Sequence, residues 1–98
     1  MLDLFILKRA RNDLRKIRID TASDWGEDQA NYYISEIDAR LEKLQHFPES
    51  GRVCDDVRKG YRKQIVGRHV IFYRIEMETI VISRVLHQKR DVKAHVRE

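Results

Sequence analysis

Apolar and polar positions along this chain follow two different periods, and the change of period divides it into two parts. Leu2 to Leu7 is a short apolar run carrying Phe5 and Ile6 and ended by Lys8 and Arg9, which predicts an opening β-strand. From there Ala10, Leu14 and Ile17 keep the i, i+4, i+7 rhythm of one buried helical stripe, and Trp25 extends that face if the helix persists so far. Gly26 stops it, as glycine does just past a helix end. Within "EDQANYYISEIDARLEKLQHF", Ala30, Tyr33, Ile34, Ile37, Leu41 and Leu44 trace a single face of a second helix. Glu27 and Asp28 suit the N-terminal end of its dipole, and Pro48 closes it. Two helices joined across one glycine form an antiparallel hairpin. Trp25 is read as a cap over that hairpin rather than an exposed binding anchor. Tyr32 and Tyr33 project about 100° apart on a helix, so one of them faces solvent or a partner.

"PESGRVCDDVRKG" has the composition of a loop, and after it the period becomes two. "YRKQIVG", "HVIFYRIE" and "TIVISRVLH" are rich in Val, Ile, Phe and Tyr, with tight-turn material at Gly67 and at "MET", so they predict antiparallel hairpins. The expected fold is α+β, in the order β-α-α-β-β-β. A helical hairpin covers one face of a small antiparallel sheet, the other face is open, and the first strand joins from outside the meander. Alternation places Val70, Phe72 and Arg74 on one side of their strand and Ile71, Tyr73 and Ile75 on the other. In the last strand it groups Ile80, Ile82, Arg84 and Leu86 against Val81, Ser83, Val85 and His87. Which row meets the helices is left open by alternation alone. The polar stretch 89–98 is read as a flexible tail or a last helical turn.

At 98 residues the chain makes one domain, residues 1–98, with 42% hydrophobic and 37% charged residues: a modest core under a densely charged skin. The net charge of +4 favours acidic partners without choosing among nucleic acid, anionic membrane and protein. From Arg58 onward Lys and Arg outnumber Asp and Glu by more than two to one, so the basic surface belongs to the second half. Cys54 is the single cysteine, which excludes an intrachain disulfide, and its neighbour Asp55 disfavours a reactive thiolate. No run of apolar residues is long enough to span a membrane, and a cytoplasmic location is expected. The scattered His46, His69, His87 and His95 have no metal-ligand spacing, and the isolated glycines form no phosphate-cradling loop; neither a metal nor a cofactor is expected.

The chemistry that remains is a set of cations in and between the strands: Arg58, Arg62, Lys63, Arg68, His69, Arg74, Arg84 and His87. Three readings compete. They hold an acidic partner; they guard strand edges against aggregation; or they cleave RNA, with histidines as acid and base and arginines meeting the charge on phosphate. Holding a partner is favoured, because no carboxylate or tyrosine in the same strands pairs clearly with a histidine. Arg58, Arg62, Arg68, His69, Arg74, Arg84 and His87, together with Trp25 and Tyr32, form the candidate partner-binding set.

"DWGEDQANYYISEIDARLEKLQHFPESGR", "DDVRKGYRKQIVGRHVIFYR" and "ISRVLHQKRD" resemble, in order and spacing, the ParE toxins of the RelE/ParE superfamily, from Phe5 to about His95. "GYR" followed by "GRHVIFYR" and "RVLHQ" is the specific part. The resemblance implies two helices on an antiparallel sheet and a toxin of a bacterial type II toxin–antitoxin module. It also implies inhibition of DNA gyrase and neutralisation by a ParD-like antitoxin in a hetero-oligomer, with no sequence-specific DNA binding by this chain. The alternative it implies is a RelE-like ribosome-dependent mRNA endoribonuclease. Arg84 and His87 would then stand near the positions of a catalytic arginine and a C-terminal tyrosine or histidine, with Arg58, Lys59 and Arg62 as loose counterparts of other basic residues. The chain departs from common ParE patterns at Lys59, where proline often precedes "GYR", and at Arg18, where an aromatic is common. A disordered acidic antitoxin tail, folding as a helix and an added strand, would suit the hairpin groove and the open sheet edge.

Overall fold

The computed structural model describes residues 1–90 and Val96. Strand β1 (Asp3–Ile6) leads into helix α1 (Lys8–Trp25) and helix α2 (Glu27–His46), followed by the short β2 (Arg52–Val53) and the longer β3 (Tyr61–Val66), β4 (His69–Glu76) and β5 (Thr79–His87). The two helices meet at Gly26, whose φ of 93° lets one residue end α1 and start α2; a side chain there would be strained. Five strands form one sheet in the order β1-β5-β4-β3-β2. The expected hairpins are present, but the sheet is mixed, because β1 runs parallel to β5. An αα-hairpin between β1 and the meander returns the chain to the same end of the sheet, and that dictates the parallel pairing. A second departure is β2, two residues inside the stretch read as loop, paired with Arg62 and Lys63.

One row of β4 and β5 meets the helices. Ile71, Tyr73, Ile80, Ile82 and Val85 pack with Ala10 and Ile17 of α1 and Ile37, Leu41 and Leu44 of α2. Leu4 and Ile6 of β1 border that core, and Gln45 at the end of α2 fixes the start of the strand by donating from Nε2 to the carbonyl of Leu2. Strict alternation breaks in β5. Phe72 pairs with Arg84 but Tyr73 with Ile82, so Ser83 is the extra residue of a bulge, and Val85 joins Ile80 and Ile82 on the helix side.

The opposite face is not open as expected. Val70, Phe72, Tyr61 and Leu86 are covered there by Cys54 and Val57 from the β2–β3 connection and by Val96. The long connection therefore supplies a second small core, which its loop-like composition hides. The expectation of a flexible tail over 89–98 falls mostly outside the described residues, but Val96 is fully buried.

Candidate functional site

The cations grouped by sequence separate into four places. Arg62 lies opposite Tyr73 on the helix side of the sheet, and both hold the α2–β2 connection. The Arg62 guanidinium donates to the carbonyls of Gly51 (2.8 Å) and Glu49 (3.2 Å), and the Tyr73 hydroxyl donates to the carbonyl of Pro48 (2.7 Å). A Cβ on Gly51 would collide with the Tyr73 ring, so the loop passes as close as backbone allows.

Arg84 reaches back to α1. Its Nε and Nη2 donate to the two oxygens of Asp13 at 2.8 and 2.9 Å, and the Val85 amide donates to the same carboxylate at 2.9 Å. The pair is nearly enclosed, at 11% and 13% exposure. It joins the bulged part of β5 to the first helix.

The third place is the end of the sheet under the helical hairpin. His69 and His87 are cross-strand partners, their rings edge to face at 5.4 Å between centroids. Tyr33 of α2 stands above them. Its hydroxyl accepts from the Arg68 amide (3.2 Å), donates to the carbonyl of Val66 (3.1 Å) and meets His69 Nδ1 at 2.6 Å. One assignment makes all three contacts hydrogen bonds: Nδ1–H of His69 donates to the phenol, leaving Nε2 unprotonated in the neutral ring. Burial, then the neighbouring His87, pushes the His69 pKa below its ordinary value, against an opposing pull from Asp13 and Asp20. A cavity of about 710 Å³ opens beside this cluster, lined by Asp20, Asp24, Trp25, Tyr33, Arg68 and His87 among others. Trp25 is 71% exposed at its rim, so it does not cap the hairpin; α1 persists to Trp25, but the indole points away from the buried stripe. Tyr32 is the outward member of its pair, at 60% exposure, and Tyr33 the inward one.

The fourth place lies on the helix-free face. Tyr61 and Arg74 are directly paired across β3 and β4, and the Arg74 guanidinium donates to the Tyr61 hydroxyl at 3.0 Å and to Glu76 at 2.7 Å. Arg58 lies over the Tyr61 ring at 5.4 Å and Arg74 at 5.9 Å. Arg9 and Lys59 complete the basic lining of a cavity of about 490 Å³, which Leu7, Ser83 and Val96 also border. Among the described residues Arg9, Arg58 and Lys59 make no ion pair.

Sequence reasoning missed Tyr61, Arg9 and Asp13 as site residues. Tyr61 was within reach, because a two-residue turn at Gly67 and Arg68 fixes the β3–β4 register and thereby sets Tyr61 against Arg74. Asp13 gave no signal, being one more carboxylate on a charged helix. Among the described residues no group of three or more His, Cys, Asp or Glu is arranged to hold a metal, and no helix is long and apolar enough to cross a membrane.

Residues 4–92 match the family of ParE toxins of the type II toxin–antitoxin system parDE. The chain is 43% identical over 84 residues to Toxin ParE1 of Mycobacterium tuberculosis, covering 85% of this chain and 86% of that protein. It is 37% identical over 89 residues to Toxin ParE1 of Caulobacter vibrioides, covering 91% and 92%. Among solved structures it resembles a chain of the chromosomal ParDE system of P. aeruginosa, with TM-score 0.78 at 20% identity over 89% of this chain and 96% of that one. A chain of the RelBE2 toxin–antitoxin complex of M. tuberculosis gives TM-score 0.64 at 22% identity over 88% and 96%. The last two show a shared fold, and the family match with the closely covered relatives shows descent: the chain belongs to the ParE toxin family of type II toxin–antitoxin modules.

Proposed function

We propose that this toxin acts by binding, as an inhibitor of DNA gyrase, and that a ParD-like antitoxin silences it by direct association. The gyrase target is an expectation carried over from the resemblance to ParE toxins, and the ParDE and RelBE2 assemblies among its structural neighbours support an antitoxin partner. The observation that favours binding over bond cleavage is the separation of the histidines from most of the cations. Among the described residues Arg68 is the one arginine that lines the cavity beside them, and Asp20 and Asp24 line the same cavity and oppose a phosphate there. Metal-free RNA cleavage needs an acid, a base and positive charge converging on one phosphate. Here His69 and His87 occupy the helix side of the sheet, whereas Arg58 and Arg74 surround Tyr61 on the other side. His69 and Arg74 are five residues apart on β4, about 17 Å at 3.3–3.4 Å per residue. Arg62 and Arg84, the other candidate catalytic cations, are held by loop carbonyls and by Asp13.

Exposed apolar side chains on the helical hairpin, Ile19, Trp25 and Tyr32, suit an amphipathic antitoxin helix laid along it. Gyrase supercoiling with purified toxin is the deciding assay: inhibition is expected, with relief by a ParD-like antitoxin. Messenger cleavage on translating ribosomes, with gyrase turnover untouched, would identify the RelE-like ribonuclease instead.

A further inference from the structure

The geometry points to the cavity around Tyr61 as a seat for an acidic–apolar segment of a protein partner, with a carboxylate of that segment held among Arg9, Arg58, Lys59 and Arg74. This deepens the binding reading above and rests on it. Charge is the first ground. Among the described residues, four cations from α1, the β2–β3 connection and β4 line one concavity against a single carboxylate, Glu76, which Arg74 already engages. Bringing such charges together costs stability, and an anionic side chain entering the concavity offsets that cost with charge-assisted hydrogen bonds.

The second ground is the apolar surface beside the charge. Phe5, Val81, Arg74 and Tyr61 follow one another across β1, β5, β4 and β3 at a single level of the sheet, so their side chains share the helix-free face. Phe5 is 51% exposed there, at the end of the row away from Tyr61. A segment crossing this face meets an aromatic surface first and the cations second, which calls for an apolar residue followed by Asp or Glu.

A protein segment fits better than nucleic acid. Single-stranded nucleic acid binds where open aromatic faces stack its bases along a basic groove. Among the described residues the aromatic ring lining this cavity, Tyr61, is 4% exposed and already has guanidinium groups over it. Phe5, at the far end of the row, is one open ring, not a series on which successive bases could stack. The cations also converge on one concavity instead of tracking a backbone.

The test titrates the whole toxin with a short synthetic peptide alternating leucine and glutamate, in parallel with a single-stranded RNA oligonucleotide, by fluorescence anisotropy. The toxin is expected to bind the peptide, more weakly as salt rises, and Arg58→Ala with Lys59→Ala is expected to weaken it about tenfold. Both side chains make no ion pair among the described residues, so the variant should keep its fold, and a thermal melt checks this. Lys16→Ala, an equal loss of charge per residue on the exposed face of α1, should leave peptide affinity unchanged. Tighter binding of RNA than of peptide, or equal peptide affinity in the Arg58/Lys59 variant, overturns the inference. The supercoiling assay on the same preparations separates the two levels. Intact gyrase inhibition without peptide binding removes this seat alone, whereas peptide binding without gyrase inhibition removes the gyrase reading.

Discussion

Single residues in this protein carry charges whose surroundings decide what they do. The Arg84 side chain stands in a strand that sequence alone associates with catalysis or partner contact, yet its fork is matched to Asp13 on both oxygens in a nearly enclosed position. Removing one member strands the other in low dielectric, a far larger loss than breaking an exposed pair such as Lys16 with Asp20. Arg84→Ala is expected to lower unfolding free energy by about 3 kcal/mol in urea denaturation, and Lys16→Ala by well under 1 kcal/mol. Loss of toxicity in Arg84→Ala would then report a damaged fold, and an unchanged denaturation midpoint would refute the structural role. His69 gives a pH signature of definite sign. Its folded pKa lies below 6.5, because burial and His87 outweigh Asp13 and Asp20, while Tyr33 and the Arg68 amide supply no negative charge. The unfolded chain therefore binds the proton more readily. The stabilising contribution is fully present above the unfolded value near 6.5 and is lost as pH falls through the depressed folded value. Melting temperatures between about pH 7.5 and 5 should fall more steeply for the parent than for His69→Gln; parallel curves would assign the drop elsewhere.

At the scale of elements, the helices and three long strands were legible because each has a clean period, but the faces of the sheet were not. Strict alternation groups Val85 with Ser83 and Arg84 with Ile82; the bulge at Ser83 moves Val85 under the helices instead. Nothing local marks it, since Ser83 is an ordinary strand residue whose burial and contact with Tyr61 depend on β3. The connection before β3 was read as loop for a related reason. Its glycines, proline and aspartates are turn chemistry, and the value of Cys54 and Val57 as core residues appears only once the sheet presents Phe72 and Leu86 to them. The candidate site was legible as a list of cations and illegible as a place, because strand period assigns a face but not the partner arriving from another element. Turns were the better-specified parts. Gly67 has φ of +57°, and a Cβ there would meet the Tyr33 ring at 2.6 Å. Gly67→Ala is therefore expected to cost about 2 kcal/mol or more, from a left-handed backbone and a displaced Tyr33. Amide exchange at Arg68, whose N–H donates to Tyr33, should rise with it. At the next turn Met77 holds φ of 54° without being glycine and is almost fully exposed. Met77→Asn should gain about 0.5 kcal/mol, since asparagine tolerates that region and no packing is lost. A lower melting temperature for Met77→Asn would contradict this.

The whole molecule is a sheet with a core on each side, and the two cores are unequal. The helix side is continuous across both helices and all but one of the strands, whereas the other side depends on a connection and on Val96, nine residues past the end of β5. Val96 is 2% exposed against Cys54, Val57, Tyr61, Val70, Phe72 and Leu86, and it also borders the basic cavity. A charge at that position must either be buried among apolar side chains or pull away from them, and leaving is the cheaper course. Val96→Asp should therefore expose the second core without unfolding the first. Cys54 reports the difference, because its thiol is buried and burial raises its pKa, with Asp56 and Asp55 adding to the effect against Lys63. In the parent it should react slowly with a thiol reagent under native conditions, and in Val96→Asp many times faster. The far-ultraviolet dichroism of the helices, which pack on the other face, should stay nearly constant. If helix signal and thiol protection are lost together, the two cores form one cooperative unit. If neither changes, Val96 does not hold the second core. Selective loss of thiol protection means that Val96 and the basic cavity can open independently of the helical hairpin, which leaves the two surfaces proposed to face partners separately adjustable by mutation.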